Sequence, residues 1–187
     1  MSGPVAPLLV FGWGNPSRGD DALGPLLAEQ LAERARQRLP AGRLECLTDF
    51  QLQIEHALDI AGRQRVLLVD AALGLATPFA VRPVAPAPQA GFTTHALAPE
   101  ALLKVYCDLE RTPPPPCTLL AIRAQRFELG EAPSEQALAD LALALDWALV
   151  WVGQNETVEI GEMGEMSDTV ESVEQVEEAE TMKEVTA

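Results

Sequence analysis

Three short apolar runs limit what this chain can fold into: PLLVFGW at residues 7–13, VLLVDA at 66–71 and CTLLAI at 117–122. None alternates polar with apolar residues, as a half-exposed strand would, and each has the length of a strand. Such runs belong to strands covered on both faces, the arrangement of a parallel sheet between helices. The segments between them supply the helices. Leucine and alanine recur at 23, 26, 27, 31, 35 and 39 among Glu29, Glu33, Arg34, Arg36 and Arg38, which predicts an amphipathic helix over 21–39 stopped by Pro40 and Gly42. Pro25 fits only the first turn of such a helix and moves its start toward Gly24. RLECLTD (43–49) predicts a second strand, QLQIEHALDIA (51–61) a short helix, and FAVRPVAP (79–86) a proline-limited edge segment. GFTTHALAPEALLKVYCDL (91–109) runs from a loop into a helix, PPPP (113–116) is an extended connector, and 132–152 is a final helix with Ser134 as its N-cap. The alternation predicts a single α/β domain over residues 1–152, a mostly parallel twisted sheet with helices on both faces.

Charge is unevenly placed. The formal net charge is −15, yet eleven acids and one lysine lie beyond residue 152. The body keeps seventeen acids against twelve bases, a balance that excludes a phosphate-backbone partner, so no nucleic acid is expected. Residues 153–187 have the composition of a solvated, disordered acidic tail. Its Met163, Met166, Val170, Val173 and Val176 stripe leaves open a helix formed against a partner. Cys46, Cys107 and Cys117 are far apart and odd in number, which argues against a disulfide framework or a structural zinc site. The first residues lack a basic segment ahead of a long apolar one, and no window reaches eighteen uncharged apolar residues. A soluble, cytoplasmic protein without a membrane partner is expected.

The chemistry concentrates in FGWGNPSRGDDALG, residues 11–24. A glycine-rich turn after a strand usually cradles phosphate, but here Ser17 replaces the third glycine of a dinucleotide fingerprint and Asp49 lies too far on for its ribose acid. Asp20 and Asp21 would also repel a pyrophosphate. One aspartate is accounted for by helix capping; the second is left over. In a parallel sheet the loop after the first strand and Asp70, at the end of the third, meet at one rim, and His95 in its loop is within reach. Two carboxylates and an imidazole suit a divalent first-row metal with open positions, although each residue alone also has an ordinary structural reading. His56 reads as a packed or solvated helix histidine and Glu55 as surface charge. GxSxG and HExxH are absent, and Ser17, Ser134 and the cysteines have no placed base, so neither nucleophilic hydrolysis nor a conventional zinc protease is expected.

LVFGWGNPSRGDDALGPLLAEQL resembles the opening signature of the nickel–iron hydrogenase maturation proteases, VLLVDAA their second, THALAPEALL their third, and IRAQRFELGEAPSEQ their late strand, acidic turn and last helix. The four occur in order between residues 7 and 150. The resemblance implies an endopeptidase that removes the C-terminal extension of the hydrogenase large-subunit precursor once nickel is in place. It implies that Asp21, Asp70 and His95 bind metal, reading nickel supplied by the substrate, with Asp21 or Asp70 as catalytic base and Asp20 capping or orienting. A monomer is expected. Whether nickel is catalytic or only a recognition element stays open, and a non-catalytic nickel-dependent adaptor for the large subunit is the alternative. Ala22 stands where a glycine is common. TDFQLQIEHALDI replaces a Gly-Thr turn, which is similar to the branch serving soluble, NAD-linked hydrogenases and implies that specificity resides there and in the Pro-rich segment 82–90.

Overall fold

In the computed structural model, which describes residues 5–88 and 97–154, the apolar runs form the centre of a five-stranded sheet. Strand β1 (Leu8–Trp13) lies between β2 (Leu44–Asp49) and β3 (Arg65–Leu73), β3 pairs with β5 (Cys117–Ala124), and β4 (Phe79–Val84) closes one edge. All pairings are parallel except β4 with β5, where Pro83 sits on the edge strand its missing N–H requires. Helix α1 (Leu23–Ala35) joins β1 to β2; the chain then returns past β1 through a short α2 (Ala57–Ile60) to β3. Helix α3 (Pro99–Glu110) precedes β5, and α4 (Glu135–Gly153) follows it.

Alternate residues of β1 feed two cores. Leu8 and Val10 pack with Leu27, Leu31, Leu141 and Leu145 of α1 and α4. Leu9, Phe11 and Trp13 face Ile60, Leu102 and Leu103 on the other side, with α2 and α3. Each fully buried leucine contributes roughly 1.5–3 kcal/mol, which explains why β1 tolerates no polar position. Helices therefore cover both faces, as the sequence predicts.

Three segments differ in detail. Helix α1 starts at Leu23, with Pro25 in its first turn, but ends at Ala35; the amides of Arg38 and Leu39 return to the Ala35 carbonyl in a tightened turn ahead of Pro40. The helix expected over 51–61 is a 3₁₀ turn, Ile54–His56, running into the four residues of α2, because the chain bends at residues 50–51 and Gln53 is extended, its amide bound by the His56 ring. Strand β3 continues past Asp70, since β5 goes on pairing Ala71–Leu73 with Ile122–Ala124 after β1 has ended. Ser134 caps α4 as expected, its hydroxyl accepting from the Ala137 amide at 3.2 Å. Among the described residues, α4 is the helix long and apolar enough to cross a membrane (19 residues, mean hydropathy 1.3), but half of it is buried in the fold as the cover of one sheet face. Of the acidic tail expected over 153–187, Gly153 still belongs to α4, and residues 155–187 lie outside the described residues.

Candidate active site

The chain reverses direction across the sheet between β1 and β3, and the crevice at their carboxyl ends is where parallel α/β sheets bind ligands. The loop from β1 reaches that crevice through an unusually close backbone crossing. A Cβ on Gly12 would stand 2.1 Å from the Gly24 carbonyl oxygen, and one on Gly24 would stand 2.3 Å from that of Trp13. Gly14, at φ +137°, would place a Cβ 1.9 Å from the Asp21 carbonyl oxygen. The glycines thus let strand, turn and helix touch main chain to main chain. Asn15 then makes the turn, its side-chain oxygen accepting from the Ser17 amide at 2.9 Å, while its own amide donates to Asp21 Oδ2 at 3.0 Å.

The adjacent aspartates diverge completely. Asp20 has no exposed surface. Its Oδ2 accepts from the amides of Gln125 (2.7 Å) and Arg126 (3.2 Å) and from the Ser134 hydroxyl (3.1 Å), and its Oδ1 from the Ser134 amide (2.6 Å). Burial alone would raise its pKa, but these donors outweigh it and hold the carboxyl below its ordinary value. Neither aspartate caps α1, which corrects the capping expectation: Asp20 instead orients the turn by fastening it to the β5–α4 loop. Asp21, by contrast, is partly exposed and bonded within the turn itself, to the Asn15 amide.

Asp70 accepts from the Ala71 amide at 2.8 Å and is pushed up to about 7, first by burial and further by the negative charge of Asp21, against the effect of that amide. The two carboxylates expected at one rim are close enough for the charge of Asp21 to act on Asp70. His95, the third expected ligand, lies outside the described residues. Among the described residues no three metal-ligating side chains converge. A group titrating near neutrality beside a second carboxylate can carry a proton or accept a cation. Cys46 and Cys117 are pushed up to about 12 by burial, with Glu45 adding to the effect at Cys46, so neither is a thiolate nucleophile. The three cysteines are free thiols.

Beside the same turn, on the β2 side of β1, a cleft of about 340 Å³ opens between Gly14, Pro16, Pro25, Leu26, Asp49 and Phe50. Sequence reasoning missed Asp49, although it too ends a parallel strand. Its Oδ1 accepts from the Phe50 amide at 2.5 Å and its Oδ2 lies 3.3 Å from Nε2 of His56. His56 is packed, in a buried position against the Phe11 ring, and Glu55 is exposed, in line with their sequence readings.

No protein-family model and no curated protein matches the sequence. Solved structures do. The NiFe hydrogenase maturation protease HycI from Thermococcus kodakarensis superimposes with a TM-score of 0.61 at 21% identity, over 79% of this chain and 92% of its own. The hydrogenase maturating endopeptidase HybD from Escherichia coli gives 0.59 at 21% identity, over 78% and 91%. HybD from Thermococcus kodakarensis gives 0.58 at 19%, over 78% and 98%. These superpositions show that the chain has the fold of the nickel–iron hydrogenase maturation proteases.

Proposed function

We propose that this chain is an endopeptidase that removes the C-terminal extension of a nickel–iron hydrogenase large-subunit precursor after nickel insertion. The observation that carries this reading is the pairing of Asp21 and Asp70 at the switch point of that fold, with Asp70 pushed up to about 7. We assign Asp21, Asp70 and His95 as the side chains that engage the nickel carried by the precursor. Two carboxylates and an imidazole suit such an ion and leave positions for the precursor's own ligands. A site completed only by a loaded substrate makes cleavage conditional on correct metal insertion. The reading includes action in the cytoplasm as a monomer.

Hydrolysis needs a water to lose a proton as it attacks the scissile carbonyl, and the departing amine to gain one. Asp70 is suited to both transfers: near pH 7 its carboxylate can take the proton from water and return it to the leaving nitrogen. Asp21, held by the Asn15 amide, binds and orients at the same rim. The cleft lined by Pro16, Pro25 and Phe50 offers the adjoining polypeptide an apolar wall.

The test is intact-mass analysis of nickel-loaded precursor incubated with the wild-type chain or with Asp21→Asn. Loss of a C-terminal peptide with the wild type alone is expected. Binding without any change of mass would replace this reading with that of a non-catalytic adaptor, and cleavage of nickel-free precursor at the same rate would remove nickel from it.

A further inference from the structure

His56 has a polar neighbour at each ring nitrogen. Nδ1 accepts from the Gln53 amide at 2.9 Å, so the proton of the neutral ring is on Nε2, which faces Asp49 Oδ2 at 3.3 Å. The bonds are reciprocal, because the Gln53 carbonyl accepts from the His56 amide at 3.2 Å. The ring centroid lies 4.5 Å from that of Phe11 in β1. Asp49 extends the chain of contacts in two directions: its Oδ1 holds the Phe50 amide, and its carbonyl accepts from Gly14 at 3.0 Å, in the turn that carries Asn15 and Asp21. Residues 49–56 are thereby closed by a histidine clasp onto the turn of the carboxylate site.

What the clasp holds is unusual for a surface loop. Phe50, Ile54 and Leu58 are 65%, 61% and 63% exposed, three large apolar side chains within nine residues. A loop that only connected β2 to β3 would need neither an apolar exterior nor a buried imidazole to fix it. Phe50 also forms part of the cleft wall. We propose that His56 is a positioning residue for substrate recognition, locking Phe50 at the mouth of the cleft so that the precursor polypeptide meets a preformed apolar edge. This rests on the function proposed above. Its physical content is preorganisation: a loop already ordered loses less freedom when substrate binds, and that advantage belongs to binding rather than to chemistry.

The test compares the wild-type full chain with His56→Leu, His56→Gln, Phe50→Ala and the His56→Leu/Phe50→Ala double variant. Four quantities are read: KM and kcat for nickel-loaded precursor, Kd for the same precursor, and hydrogen exchange at the amides of Phe50 and Gln53. Leucine preserves the apolar packing on Phe11 but removes both polar contacts. It is expected to accelerate exchange at those two amides and to raise KM and Kd about tenfold, the equivalent of one or two net hydrogen bonds, with kcat near that of the wild type. Glutamine, with one acceptor and one donor, should recover most of the affinity. Phe50→Ala, at an exposed position with no bearing on folding, should raise KM to a similar extent, and the double variant should add little to either single one. Faster exchange with unchanged KM and Kd would reduce His56 to a structural role and overturn the proposal, as would a fall in kcat alone or unaltered exchange. A wild-type chain that binds precursor without cleaving it defeats the proposed activity instead, and the positioning role then stands or falls on Kd and exchange.

Discussion

Asp20 and Asp21 share a sequence neighbourhood and nothing else. Asp20 accepts four hydrogen bonds from residues more than a hundred positions away, and Asp21 accepts one from Asn15. In Asp20→Asn, an amide group would face donors where a carboxylate oxygen stands, so a loss of about 2–4 kcal/mol is expected in denaturant unfolding. Because the folded pKa of Asp20 is depressed, its contribution is complete above the unfolded value of 3.8 and is lost as pH falls through the lower folded one. Urea titrations of the variant below pH 4 should therefore show a shallower acid dependence than the wild type. Asp70 has the opposite sign. Its folded value of about 7 exceeds the unfolded one, so its carboxylate costs stability progressively as pH rises from about 4 to about 7. Asp70→Asn should melt above the wild type at pH 8, show a gap that closes toward pH 4, and fail to cleave. A variant that melts lower at pH 8 would contradict the strained-carboxylate reading. That Asp21 and Asp70 lie near one another was legible because the loop after β1 and the neighbouring strand β3 run to the same side of a parallel sheet. The partners of Asp20 were not, since no local pattern announces Gln125, Arg126 or Ser134, and His56 could be read as packed without revealing that it closes a loop.

At the scale of elements, strand β1 and helix α1 approach so closely that a methyl group is excluded. Gly24→Ala is expected to push the start of α1 away from Trp13, costing about 1–3 kcal/mol or more by thermal melting and displacing Asp21 enough to reduce cleavage more than stability alone would explain. Helix α4 is fixed by Arg123 on β5, whose Nε and Nη2 bind Asp140 at 2.8 and 3.1 Å, with Gln136 donating at 3.0 Å. Asp140 is buried, so Arg123→Met leaves its carboxylate without its cation and should lower the midpoint of urea unfolding, whereas replacing both members with apolar residues should lower it far less. The apolar strands were readable because burial on both faces leaves no polar position to confuse their period. Residues 51–61 were misread as one helix because their apolar spacing suits a helix, while the side chains of Asp49 and His56 hold the Phe50 and Gln53 amides outside any helical pattern. The end of α1 was overextended for a related reason: leucine at 39 continues the spacing after the backbone has already turned.

For the molecule as a whole, the strand order was the part least available in advance. Apolar runs announce a parallel sheet but not that β1 stands between β2 and β3, and it is that position which brings two carboxylates from separate strands to one crevice. We propose that the acidic residues beyond Gln154 are dispensable for this architecture; a chain ending at residue 154 should melt within about two degrees of the full one, and a larger fall would extend the domain. Helix α4 carries a further consequence. As the last element of the described chain, it supplies Leu141, Leu145 and Leu149 to the sheet face it shares with α1. During synthesis the part of that face beyond α1 stays uncovered until α4 has left the ribosome, and the helix itself emerges as a stretch apolar enough to enter a bilayer. A nascent chain of this protein should therefore be a client of the factors that shield apolar segments at the exit tunnel, and a stop codon placed before residue 135 should yield aggregates rather than a smaller folded protein.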